Sequence, residues 1–156
     1  SIALATYMHT EENLGRWVKD FKEPKKCNVS LDEKSFVHLV AGQTENVVIS
    51  TLNSVFLCSL TDFSTIWRVE GEVDGLVMDP HGIASRNVDC IYVADGKNRR
   101  VLEFNGAGKF QNTVLSDRMF DLGTVYGVKW RKDKSQLLVL HGPEKCDMVI
   151  DKFQMP

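Results

Sequence analysis

The feature that most constrains this chain is an internal repeat of about 45 residues. The clearest copy covers residues 81–116 and splits into four short β-rich runs, 82–85, 90–94, 100–105 and 110–115. Turn signals separate the runs: Asp95-Gly96-Lys97-Asn98 follows the second, and Asn105-Gly106-Ala107-Gly108 follows the third. A later copy opens at Tyr126-Gly127-Val128, 45 residues beyond His81-Gly82-Ile83, and continues through 137–140, His141-Gly142 and 148–153. An earlier copy opens 45 residues before His81, at Phe36-Val37-His38-Leu39, and continues through 47–51, 54–60 and 65–69. A repeat at such a period is one supersecondary unit that buries its apolar faces only against its neighbours.

A four-stranded antiparallel meander with two apolar faces buries both when such units pack around an axis, which also leaves only short edges. The chain therefore reads as all-β, of β-propeller type. It holds about three and a half blades of a six-bladed ring in a single partial domain: 1–34 (incomplete), 35–77, 78–120 and 121–156. Short strands at this spacing also fit a β-sandwich, but the repeated register favours the propeller. In the amino-terminal segment, 2–7, 16–21 and 28–31 serve as the second to fourth strands of a blade. The competing reading there is a helix over 10–22, in which Leu14, Trp17, Val18 and Phe21 share a face.

Composition narrows the function classes. With 156 residues, a net charge of -2, 43% hydrophobic and 26% charged residues, the chain is neither a disordered segment nor a strongly basic nucleic-acid binder. No run is apolar enough to cross a bilayer, so no membrane partner is expected. The first residues carry no basic region or apolar stretch of signal-peptide length, and the absence of an initial Met reads as a mature product or a fragment, leaving secretion open. Cys27, Cys58, Cys90 and Cys146 are scattered, without a CxxC pair, so no metal or other cofactor is expected. Cys58, in the run VFLCSL, reads as a small core residue. Asn28-Val29-Ser30 matches the glycosylation acceptor pattern, which matters only in a secreted chain.

The segment PHGIA…CIYVADGKNRRVLEFNGAGKF, residues 80–110, resembles the NHL repeat. The residues that carry the likeness are Pro80 and Gly82 on the innermost strand, Ile91 to Asp95, Asn98, Arg99-Arg100-Val101 and Gly108-Lys109-Phe110. The flanking copies match in spacing and hydrophobic pattern, with Asp95 replaced by Thr51 and His141, and Arg100 by Ser54 and Cys146. The resemblance implies six-bladed propellers, often at the carboxyl end of cytoplasmic tripartite-motif-like proteins, that bind RNA or protein. It also implies related enzymes, such as an amidating lyase that holds zinc with inner-strand histidines. Here the equivalent inner-strand positions are Phe36, His81 and Tyr126, so the enzyme pattern is not matched.

These residues support a non-enzymatic platform that engages a protein or RNA partner through its loop-rich face. The alternatives are a piece of a six-bladed hydrolase or lyase whose catalytic groups lie on another chain, and a structural or carbohydrate-binding oligomer. Asp95 and Arg100, five residues apart, read as a pair that pins a hairpin. Lys97 and Arg99 have no such evident task, and they should gather with Asp79, His81, Arg118 and Tyr126 on one face, against the acidic Glu70, Glu72 and Asp74. That gathering makes His81, Lys97, Arg99, Arg118 and Tyr126 the candidate binding residues. Trp67 and Trp130 fall in strands and should pack between blades. Because so few blades cannot close a ring, a second polypeptide is expected to complete it, either a companion fragment or a second copy.

Overall fold

The structure, a computed structural model, describes residues 2–3, 26–27, 38–41, 46–59, 62, 64–143 and 148–156. The chain divides into two compact units, Ser1–Glu33 and Lys34–Pro156. In the first, β1 (Ile2–Ala3) pairs antiparallel with β2 (Lys26–Cys27). The rest of the expected strands there, the competing helix, Trp17 and the Asn28 acceptor lie outside the described residues.

The second unit is a series of antiparallel meanders. The first sheet runs β3 (His38–Ala41), β4 (Asn46–Ser50), β5 (Ser54–Ser59) and β6 (Thr65–Glu70), in spatial order β3-β4-β5-β6. A small hairpin follows, β7 (Glu72–Val73) with β8 (Leu76–Val77), turned by Asp74 and Gly75, both at positive φ. The second sheet holds β9 (Pro80–Asn87), β10 (Cys90–Asp95), β11 (Arg100–Phe104) and β12 (Phe110–Ser116), again in chain order. A single helical turn, α1 (Asp117–Phe120), leads to the third sheet: β13 (Thr124–Arg131), β14 (Gln136–Gly142) and β15 (Val149–Gln154). The first strand of each sheet lies at its edge, and β9 packs against β3 on one side and β13 on the other. Gly82 and Gly127 thus sit on equivalent strands; Val37 and Phe36 lie outside the described residues. These sheets are blades of a β-propeller.

The pleat explains the stacking. Every residue of β10 is buried, because its alternate side chains enter two different cores. Ile91 and Val93 join Val48, Val55, Leu102 and Phe104 between the first two sheets. Tyr92 and Ala94 join Val101, Leu115, Val125, Leu137 and Val139 between the second and third. Each fully buried Val, Leu or Phe contributes about 1.5–3 kcal/mol, so these two layers dominate stability. The tryptophans pack where strand position placed them: Trp67 against the first core and Trp130 against the second, 6.0 Å from the Tyr92 ring. In the third sheet only one face is fully covered. Leu137 and Val139 are buried, whereas Leu138 and Leu140, on the opposite face, are only half-buried. Their cross-strand partners Lys152 and Ile150 are exposed.

One hairpin tip locks neighbouring sheets together. The turn between β11 and β12 reaches over Trp67 of the preceding sheet, whose indole Nε1 donates to the Gly106 carbonyl at 2.8 Å. Gly108 has φ of 74°, and a Cβ there would lie 2.6 Å from the Trp67 ring. Gly108→Ala is therefore expected to cost about 1–3 kcal/mol, from left-handed strain and ring displacement. A denaturant midpoint unchanged from wild type would show that the tip does not bear on the indole.

Candidate binding face

The face begins with a buried ion pair. Where β10 turns into β11, Asp95 and Arg100 are cross-strand partners, and Arg100 Nε donates to Asp95 Oδ2 at 2.6 Å. Both side chains are almost fully buried. The other Asp95 oxygen accepts from the Asp79 backbone N–H at 2.8 Å and from Asn98 Nδ2 at 2.9 Å. Arg100 reaches past its partner to the β7–β8 hairpin, donating from Nη2 to the Val73 carbonyl at 2.7 Å. The pair therefore ties a turn, the start of an inner strand and the preceding connector into one rigid piece.

The same position recurs with other chemistry. In the first sheet Thr51 Oγ1 and Ser54 Oγ hydrogen bond at 2.7 Å, both buried. In the third, His141 occupies it. It lies inside β14, buried, with Nδ1 hydrogen bonded to the Leu122 carbonyl and Nε2 3.1 Å from Asp151 Oδ2. The chain needs a buried polar link at each of these hairpin ends, and the repeats supply it with different residue types.

Around this frame the five candidate residues form two groups. Asp79 organises the first: its Oδ2 lies 2.9 Å from His81 Nε2 and accepts the Lys97 backbone N–H at 3.0 Å. Lys97 Nζ lies 4.0 Å from Asp79 Oδ1, and the His81 ring meets Tyr126 edge-on at 6.3 Å. A Cβ on Gly96 would fall 2.5 Å from the imidazole, so a larger residue here must displace the His81 ring. The Gly96 carbonyl accepts the Val125 N–H at 3.2 Å, joining this turn to the third sheet.

Arg99 and Arg118 form the second group, in a cleft of about 530 Å³. Its walls are the β7–β8 hairpin on one side and the end of β12 with α1 on the other. Arg99, at φ 54°, places Nη1 3.4 Å from Asp117 Oδ2. Neither turn cation is therefore idle, contrary to the sequence reading: Lys97 faces Asp79 and Arg99 faces Asp117. Arg118 is exposed and, among the described residues, has no carboxylate within ion-pairing distance.

Three titrating groups among the described residues depart from their ordinary values: hydrogen bonds from the Ser64 backbone and the Ser59 and Ser64 side chains hold the exposed Asp62 carboxyl down, and the other two lie in the core. Burial pushes the Tyr92 hydroxyl and the Cys90 thiol up, and Cys90 Sγ donates to Glu103 Oε1 at 3.3 Å. Both side chains act in packing rather than on the face. Among the described residues no three His, Cys, Asp or Glu side chains are placed to hold a metal ion, and no helix is long and apolar enough to cross a membrane.

No protein-family model matches the sequence, and no curated protein does. Solved structures do resemble it. The WD40 repeats of RRP9 superpose with a TM-score of 0.59 at 13% identity, covering 71% of this chain and 34% of that one. A β-propeller domain from Myceliophteria thermophila gives 0.55 at 12% identity, covering 83% and 41%. A catalytically inactive virginiamycin B lyase from Staphylococcus aureus gives 0.51 at 12% identity, covering 80% and 43%. The likeness is one of fold. The chain spans between about a third and two-fifths of the length of these structures.

Proposed function

We propose that this chain is a non-enzymatic binding platform of NHL-like propeller blades whose loop-rich face engages a protein partner. The observation that carries the reading is the charge balance of that face. Its turn cations Lys97 and Arg99 lie beside the carboxylates of Asp79 and Asp117, above a frame in which the buried Arg100 is paired with Asp95. A surface of locally paired charges with fixed hydrogen-bonding groups favours specific contacts with another protein. A phosphate backbone, by contrast, gains affinity from unpaired cations that displace its counterions. The proposal extends to the ring itself: a second polypeptide supplies further blades against the open face of the third sheet.

RNA is the alternative that one experiment separates. Wild type and the Lys97→Glu/Arg99→Glu variant are compared for retention of single-stranded poly(U) across a salt series. The expected result is equally weak retention by both. Strong retention by wild type, with a log–log salt slope reduced by about two in the variant, would move the assignment to RNA, since each lost phosphate contact lowers the slope by about one.

A further inference from the structure

We infer that the cleft between the β7–β8 hairpin and α1 is the docking site for a short segment of the partner protein, one bearing an acidic side chain beside an apolar one. The inference rests on the protein-binding reading above and gives that partner a chemistry.

Size comes first. A cleft of about 530 Å³ is in the range of sites that enclose a few side chains, and it is too small for a folded domain. Its shape is set before any ligand arrives. Arg100 donates to the Val73 carbonyl from within the frame, and Asn98 Nδ2 donates to the Val77 carbonyl at 2.7 Å, so the hairpin wall is held at two points. Thr113 Oγ1 donates to Asp74 Oδ2 at 3.1 Å across the cleft. On the opposite wall Asp117 Oδ1 accepts the Gly123 N–H at 3.2 Å, while Oδ2 faces Arg99. Walls fixed in this way ask little further ordering of the protein on binding.

Charge then selects the occupant. Asp74 and Asp117 already face Arg100 and Arg99. Arg118 is left as the cation without a carboxylate among the described residues. One incoming carboxylate completes it, with two parallel N–H···O bonds from a single guanidinium. A run of phosphates would instead meet Asp74 and Asp117 at close range. An apolar side chain shares the cleft with the arginine: Leu76 lines it at 45% exposure. An arginine beside an exposed aliphatic side chain on preformed walls suits a protein contact, since arginine is enriched at such interfaces.

The test uses the full chain, immobilised and screened against displayed random short peptides. Enriched sequences are expected to share Asp or Glu next to an apolar residue. The best of them, followed by fluorescence anisotropy, should bind Arg118→Glu at least about tenfold more weakly, the loss expected of an anchoring arginine. Arg118→Lys should recover only part of this, because an ammonium lacks the fork. Leu76→Ser should weaken binding several-fold. Both positions are exposed, and unchanged thermal unfolding verifies that the three variants fold. Enriched peptides without an acidic residue, or binding indifferent to Arg118→Glu, would overturn the cleft assignment while leaving the platform reading in place. Failure to enrich any peptide overturns the cleft, and poly(U) retention in the previous experiment would overturn both.

Discussion

Arg100→Glu is expected to cost at least about 3–5 kcal/mol, the penalty for breaking a buried pair and leaving its partner uncompensated. Because domain stabilities lie around 5–15 kcal/mol, the second sheet should lose cooperative unfolding or fold only marginally. The reason is geometric as well as electrostatic. The new carboxylate would meet Asp95, which has no solvent exposure, across a cross-strand pair whose atoms now lie 2.6 Å apart. The Val73 carbonyl would lose its donor at the same time, freeing the β7–β8 hairpin. Two companions separate these contributions. Arg100→Lys keeps the charge and should fall between wild type and Arg100→Glu. Asp95→Leu/Arg100→Met removes both charges and should recover part of the loss, because apolar replacement of a buried pair is often near neutral. Its recovery stays incomplete because the Asp79 N–H and the Val73 carbonyl still lack partners. Urea titration followed by far-ultraviolet circular dichroism reads all three. A midpoint for Arg100→Glu within about 1 kcal/mol of wild type would show that the pair is peripheral.

The strands of the second sheet were legible in the sequence because apolar runs and Gly/Asn turns alternate there at a constant register. The observed β10, Cys90–Asp95, ends one residue beyond the expected run. The β7–β8 hairpin was missed, since two-residue strands leave no periodicity to detect. His141 stands in the register of Asp95, yet nothing in its residue type marks it as that residue's counterpart. The sequence could not reveal that the shared requirement is a buried polar link, because Thr51–Ser54, Asp95–Arg100 and His141 meet it with unlike side chains. The candidate face was legible only in outline. Lys97 and Arg99 looked unoccupied because their carboxylates, Asp79 and Asp117, each lie 18 residues away along the chain. Only the fold brings such partners together. Arg118 was identified by position alone, and the cleft around it needs the hairpin that no periodic signal marked.

Gly82→Val should be the most damaging of the inner-strand changes, and Gly127→Val the most informative. A Cβ on Gly82 would lie 3.1 Å from Gly127 Cα, with the Val128 N and Tyr126 carbonyl close behind. Those neighbours are backbone, so they cannot rotate away, and the added methyls of valine force β9 and β13 apart. Overpacking of this kind costs about 1–3 kcal/mol or more. The effect is steric, since Gly82 is not at positive φ. Gly127 occupies the equivalent strand position one repeat later, yet a Cβ there meets nothing within 4 Å. Gly127→Val should therefore leave the denaturant midpoint of the isolated chain close to wild type. If a second polypeptide completes the ring, its inner strand approaches Gly127 as Gly127 approaches Gly82, and valine must block that approach. The expected pattern by light scattering is an assembly for wild type and a folded monomer for Gly127→Val. A wild-type chain that remains a compact monomer at micromolar concentration would sink the completion idea. An assembly that survives Gly127→Val would place the joining surface elsewhere than the open face of the third sheet.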